Sequence, residues 1–455
     1  MMARVNGTSG VSEPAELQQP AERIRAADIV MDAASVAGRP AAGIRRVLMY
    51  SHDTFGLGHV RRSCTIANAM VKMNPGLSVL IVSGSPVIGN YEFMPGVDYV
   101  RIPGVVKQPD GDYSSLNPNV ALEETVVLRT AIMTRTAEAF APDMMIVDKE
   151  PAGFRGEVVP ALDMLRRKGA RLVLGVRDVL DEPSLLVPEW ERKGATAALA
   201  DYYDEIWVYG LREIYEPLAA LGLTPDVMQR VVYTGYLRRE LPRNAHLSRY
   251  PELTHDEFVL VTTGGGGDGE DVIDWVISAY ESAEAPEIPA LLVFGPFMNR
   301  ERREAFVERI AQLPKLDAIG FDSKPELLMD RATGIVAMGG YNTFCELLSF
   351  DRPALIVPRT RPRLEQYIRA RQAEQLGLAR MLAEEDNEDD TKRRDPLRMA
   401  RAISALKAQK RPSEVVVPGL LDGLEVLGQR LQLCGPVAGG YVSGTEMAGT
   451  VQAAE

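Results

Sequence analysis

At 455 residues the chain is longer than one hydrophobic core usually serves, which predicts two domains with loose ends. Its composition, 46% hydrophobic and 25% charged, is that of an ordinary globular protein. A formal net charge of −12 argues against bulk nucleic-acid binding and leaves only a local basic cleft open.

Residues 1–44 are rich in Ala, Gly, Ser, Glu and Pro and read as a flexible extension, and residues 1–22 show no apolar signal core. "RRVLMYSH" is then an apolar, β-prone run, followed by the glycine-containing "FGLGHVRRS" and by apolar residues at helical spacing from Val60 to Met73. Strand, glycine turn and helix open a βαβ unit. The alternation continues through "LSVLIVSG", "VDYVRIPG", a helix over 119–140, "DMMIVDKEP", "ARLVLGVRDVL" and "DEIWVYG". It goes on to a helix around "REIYEPLAALG" and to "RVVYTGYL". Strands apolar on both faces and separated by helices predict a parallel sheet covered on both sides, here over 45–238. A polar linker is expected over 239–256. A second α/β domain over 257–433 starts at "FVLVTTGGGGDGED" and runs through "IPALLVFGPF", "LDAIGFD", "ATGIVAMGG", "PALIVPR" and "LARMLAEED" to a closing helix at "LDGLEVLGQRLQ". Residues 434–455 read as a flexible tail.

No run of eighteen apolar residues occurs, so no membrane span is expected, while peripheral membrane contact stays open. Three scattered cysteines, Cys64, Cys345 and Cys434, form neither a disulfide framework nor a metal-ligand cluster. The expectation is therefore a cytoplasmic protein, free or at the inner face of the membrane, with no metal and no cofactor.

Four stretches could carry chemistry. In "FGLGHVRRS", Gly56 and Gly58 let the chain turn sharply at the carboxyl edge of the first strand. His59 then falls near a helix start, where exposed amides keep a histidine neutral and able to accept a proton. The competing reading is a tight connection with an incidental histidine. In "TTGGGGDGED", Gly265 and Gly266 belong to a run of four glycines whose entropic cost a close approach to phosphate would offset. A plain flexible loop competes with that, and Asp268, Glu270 and Asp271 fit helix capping or solvent. Within 338–370, Gly339 and Gly340 end a strand and free the next helix's amides for a diphosphate. Glu346, on that helix, could accept two ribose hydroxyls or be an ordinary surface glutamate. Arg359, Arg361 and Arg363 form a basic knot suited to phosphate, to an acidic acceptor or to solvent, and Arg61 is a candidate for the same contacts. Finally, Asp148 and Asp178 end strands, and either could hold His59 with its other ring nitrogen free as base; Asp148 is preferred.

With these motifs the chain resembles the two-Rossmann-domain (GT-B) nucleotide-sugar glycosyltransferases, and within them the family 28 group that includes the bacterial N-acetylglucosamine transferase making lipid II. The glycines, "TFCE", "PALIVP" and the following Glu-Gln carry the likeness in the C-terminal half, and "FGLGHVRRS" carries it in the N-terminal half. The resemblance implies two Rossmann-like domains facing across a cleft. It places Gly56, Gly58 and His59 beside acceptor and donor phosphates, with His59 as base. The helix start with Asn342 and Thr343 would hold the diphosphate, Glu346 the ribose, and Glu365 and Gln366 the donor sugar. Inverting transfer without a required metal would follow, with a uracil base in the donor. The acceptor would be a saccharide, a lipid-linked sugar or a small molecule. The first loop has one glycine fewer than the lipid II enzyme's, so that enzyme's acceptor is not carried over. "GLGHVRRS" also looks like a related group that hydrolyses a nucleotide sugar in the same fold. The same two-domain form also accommodates an epimerase or a non-catalytic nucleotide-sugar sensor.

Overall fold

The structure is a computed structural model and describes residues 43–52, 57–108, 112–241, 250–264, 268–322, 324–387 and 389–433. Gly56, Gly265, Gly266, Cys434, the expected tail and all but the last two residues of the expected N-terminal extension lie outside the described residues.

Nine strands occupy the N-terminal half: β1 (Arg46–Ser51), β2 (Ser78–Ser83), β3 (Val97–Arg101), β4 (Val105–Lys107), β5 (Tyr113–Ser115), β6 (Met144–Asp148), β7 (Arg171–Arg177), β8 (Glu205–Tyr209) and β9 (Val231–Tyr233). Seven of them form a parallel sheet in the order β3-β2-β1-β6-β7-β8-β9, while β4 and β5 make a small antiparallel hairpin. Six more follow: β10 (Val259–Thr262), β11 (Ala290–Val293), β12 (Leu316–Ile319), β13 (Gly334–Ala337), β14 (Ala354–Ile356) and β15 (Arg380–Met381). They form a second parallel sheet in the order β12-β11-β10-β13-β14-β15. Helices flank both sheets, so the chain folds as two Rossmann-like units of the GT-B type.

The apolar runs explain the burial. Every residue of β6, β8, β10, β11 and β13 is buried, as a sheet covered on both faces requires. One core is continuous between the two sheets. Tyr236 stacks on Tyr341 with ring centroids 6.1 Å apart and meets Phe344 edge-on at 5.0 Å. The last helix, Gly423–Leu433, packs on the helix Gly58–Met73 beside the first sheet, where Arg430 bonds Glu205 at 2.7 Å.

Two local expectations differ from the structure. The helix expected around 212–222 is a series of turns ending in a 3₁₀ segment, Ala219–Leu221. Pro217 lacks an amide proton and pushes its predecessor out of the helical region. A short helix forms later, at Pro225–Gln229, behind a Thr224 cap. The β4–β5 hairpin escapes sequence reading because three-residue strands show no period. Among the described residues, no helix is long and apolar enough to cross a membrane.

Candidate active site between the two sheets

Open parallel sheets bind ligands outside the carboxyl ends of their strands, where the strand order reverses. That point lies between β1 and β6 in the first sheet and between β10 and β13 in the second. His52 and His59 follow β1, and Asp148 ends β6. Thr263 and Gly264 follow β10, while Gly339 and Gly340 follow β13. The motifs singled out from the sequence therefore fall at the two crevices that topology selects.

The crevices meet. Asn342 Nδ2, in the first turn of the helix Tyr341–Ser349, donates to the Gly58 carbonyl at 3.0 Å. Neither this helix nor Gly58–Met73 has a side-chain cap or an acidic residue in its first turn. Two helix starts with amides that no side chain caps thus converge, and each carries partial positive charge. Thr343 Oγ1 stands close to Gly264, 3.5 Å from where a Cβ would project. Gly339 has φ +77°, and a Cβ there would come within 2.6 Å of Ile356 Cγ2, so no other residue fits this turn unstrained.

On the first sheet, His59 Nδ1 lies 2.5 Å from Asp148 Oδ2. Arg62, one helical turn beyond His59, grips Asp148 Oδ1 through Nε at 3.1 Å and Nη2 at 2.5 Å. Burial works against the Asp148 carboxylate, but Arg62 and His59 outweigh it and hold the group well below the usual carboxylate range. Arg62 Nη2 also lies 3.0 Å from Nδ1, but the closer, ionised Asp148 favours a proton on Nδ1, which leaves Nε2 as the basic nitrogen. Burial lowers His59 to about 4; Asp148 opposes this, while Arg62 and Lys149 add to it. The imidazole is therefore neutral at ordinary pH.

Sequence pattern does not single out Arg62, although its spacing from His59 places it on the same helix face. It is 2% exposed and lies over the rings of Tyr209 and Tyr341, 5.9 and 5.6 Å from their centroids. His52 is likewise silent in the sequence. Its ring meets that of His59 edge-on at 5.9 Å, and its Nδ1 is 3.2 Å from the Tyr50 hydroxyl. Burial, then Lys149, holds His52 well below its ordinary value. Lys149 itself sits in the left-handed region, φ 69°, with Nζ 3.6 Å from Glu150.

Glu346 is no surface glutamate, being 1% exposed. Arg61 forks between two carboxylates of the second unit, with Nη1 2.5 Å from Glu346 Oε1 and Nη2 2.6 Å from Glu326 Oε1. The approach to Glu346 is off the hydrogen-bonding line, so its Oε1 gains an ion pair without an aligned donor. Burial raises Glu346 above the usual carboxylate range, against the pull of Arg61.

Asp178 does not approach His59 to support it in place of Asp148. It is fully buried in a bidentate pair with Arg369, both bonds 2.7 Å, and accepts from Tyr236 at 2.9 Å. A guanidinium fork matched to a carboxylate fixes the two sheets' mutual geometry, which makes Asp178 a joint. Glu365 pairs with Arg177 at 2.7 Å; burial raises its pKa but Arg177, Arg369, Arg359 and Lys149 bring it down to about 2. Gln366 is buried and accepts from the Arg359 amide at 2.9 Å. The basic knot is partnered: Arg359 bonds Asp268 and approaches Glu365, and Arg363 bonds Asp181 at 2.8 Å and pairs with Glu189 at 2.7 Å. Arg361 is exposed. Asp268 thus binds an arginine, while Glu270 and Asp271 open a helix.

The two sheets and their facing crevices define a GT-B-fold protein. Residues 258–410 match the glycosyltransferase family 28 C-terminal domain. No curated protein matches the chain in sequence. Among solved structures, the crystal structure of Acinetobacter baumannii MurG is similar, with 13% identity and a TM-score of 0.53 over 86% of this chain and 100% of that one. A UDP-glucosyltransferase from Polygonum tinctorium, capable of glucosylating indoxyl, gives 13% identity and 0.56 over 87% and 94%. Phytolacca americana UGT2, complexed with UDP-2fluoro-glucose and pterostilbene, gives 14% and 0.53 over 86% and 94%. At such identities the likeness is one of fold.

Proposed function

We propose that the protein is an inverting glycosyltransferase that moves a sugar from a uridine-diphosphate donor to a hydroxyl acceptor. The observation that carries this reading is the contact of the two uncapped helix starts, with the Asp148-held His59 on one side and buried Glu346 on the other. His59 Nε2 takes the acceptor proton as that oxygen attacks the anomeric carbon from the face opposite the diphosphate. Asp148 keeps the tautomer and stabilises the imidazolium that forms. Negative charge then grows on the departing diphosphate. Amides of the helix Tyr341–Ser349, with Asn342 and Thr343 in its first turn, meet that charge as it develops and so act most strongly in the transition state. Glu346 accepts the ribose hydroxyls, and Glu365 and Gln366 address the donor sugar.

The family 28 match, together with the shared fold of a UDP-glucosyltransferase, supports a sugar nucleotide as donor. The acceptor is a saccharide, a lipid-linked sugar or a small molecule, met in the cytoplasm or at the inner membrane face. The test is incubation with UDP-, GDP- and dTDP-sugars, without and with a lysate-derived acceptor pool. Nucleotide release that requires acceptor and yields a glycosylated product is the expected result. Release in buffer alone, with free sugar, would make water the acceptor; binding of no sugar nucleotide would end the proposal.

A further inference from the structure

Among the described residues, Arg61 is the cation that pairs with both Glu346 and Glu326, and Arg239 adds only a more distant pull on Glu346. Glu326 Oε2 is buried without a hydrogen-bond partner, and Glu346 Oε1 lacks an aligned donor. An under-satisfied buried carboxylate favours any group that brings donors along the right line. A vicinal diol does so, with two O–H groups for two oxygens. It is neutral, however, and leaves the carboxylate charges needing a cation nearby. Arg61 therefore has reason to yield Glu346 and equal reason to stay close.

The geometry gives it a way to do both. The guanidinium uses separate nitrogens, Nη1 for Glu346 and Nη2 for Glu326, so one bond can break while the other holds. Its side chain is 22% exposed against 2% for Glu346, so the arginine has room to move and the glutamate does not. Arg61 lies in the first turn of the helix whose start touches Asn342, the position where a diphosphate would sit.

We propose that Arg61 and the donor's ribose compete for Glu346, and that the displaced guanidinium pivots about Glu326 onto the diphosphate. The inference rests on Glu346 as the ribose acceptor. It makes donor binding a switch: the ribose releases the cation that the leaving group needs. A nucleoside alone gains nothing from that release and bears the competition. A nucleoside diphosphate recovers it, so the site selects for the diphosphate beyond simple phosphate contacts.

The experiment is calorimetric titration of the full chain and of Arg61→Ala and Arg61→Lys with uridine and with UDP, folding being checked by thermal melting. Lysine keeps a cation beside the carboxylates but cannot bridge them, so this variant keeps the experiment readable where alanine fails to fold. Uridine is expected to bind about tenfold more tightly in Arg61→Ala, because the competing arm is gone, and to gain less in Arg61→Lys, whose ammonium still competes for one carboxylate. The preference for UDP over uridine is expected to fall about tenfold in Arg61→Ala and to be largely retained in Arg61→Lys. Uridine affinity equal to wild type in both variants would overturn the competition, and an undiminished UDP preference in Arg61→Ala would overturn the transfer to phosphate. Binding of neither compound by any of the proteins would instead sink the nucleotide reading beneath it.

Discussion

His59 Nδ1 and Asp148 Oδ2 are 2.5 Å apart although 89 residues separate them in the chain. The contact assigns the imidazole proton to Nδ1 and the lone pair to Nε2. His59→Ala is expected to lower turnover by about 10³-fold while UDP binding persists, since the helix amides and Glu346 are untouched. Asp148→Asn keeps the shape but loses the tautomer, and a fall on the order of 10³ to 10⁴ is expected. Single-turnover kinetics with parallel calorimetry separates the two quantities; loss of binding in His59→Ala would mean that it is a ligand and not the base.

The pH dependence follows from the same pair. Burial lowers His59 to about 4, so its neutral, proton-accepting form predominates above that pH. kcat/KM is expected to be level between about pH 6 and pH 8 and to drop about tenfold per unit below about pH 4. A midpoint near the ordinary histidine value of about 6.5 would overturn the lowering of His59 by burial, and persistence of the acid limb in His59→Ala would show that another group titrates. Stability has the same sign. Because the folded pKa is below the unfolded one, the contribution is complete above about pH 6.5 and is lost as pH falls toward the folded value.

Glu346 makes a prediction specific to sugar hydroxyls. With both ribose oxygens donating to it, the protein should prefer UDP to 2′-deoxy-UDP by about tenfold, one hydrogen bond to a charged acceptor. Glu346→Ala is expected to weaken UDP and to erase that preference together. Competition binding with the two nucleotides reads this directly, and a preference that survives the substitution would remove Glu346 from the ribose site.

Asp178 and Arg369 are each fully buried, so breaking the pair leaves a charge without water or partner. Arg369→Ala is expected to cost about 3–5 kcal/mol, seen as a lower Tm and denaturation midpoint. Asp178→Leu combined with Arg369→Met should recover part of that loss. Equal stability of the single variant and the wild type would contradict the joint.

Gly339 tests the donor loop. Alanine there must adopt φ +77° and displace Ile356, at a cost of about 1–3 kcal/mol. The helix start following it shifts as a result. UDP affinity is expected to fall at least as much as stability, because both depend on that turn.

Much of this is legible in the chain itself. Period and run length are local properties, so the alternating strands and helices, the glycine turn at 339–340 and the doubled α/β plan can be read in order along the sequence. His59 and Gly339 draw notice because their residue types at helix and strand ends have few uses, while Glu346, inside its helix, draws notice through the family resemblance. Where Pro217 interrupts a helical pattern, the same local reading fails, since one missing amide outweighs several apolar positions. What only the tertiary structure decided is which charges meet. Asp148 and Asp178 are both candidates by sequence, with Asp148 preferred, one closing a strand and the other directly following one of the same sheet. Strand order places β6 beside β1 and so sends Asp148 to His59, while the facing unit supplies Arg369 to Asp178. Arg61, in the same way, is one basic residue among many until the cleft places Glu346 and Glu326 against it. Ion pairing depends on positions a few ångströms apart in space and, for these groups, 89 to 285 residues apart in order, which no local pattern encodes, so their partners belong to the fold alone.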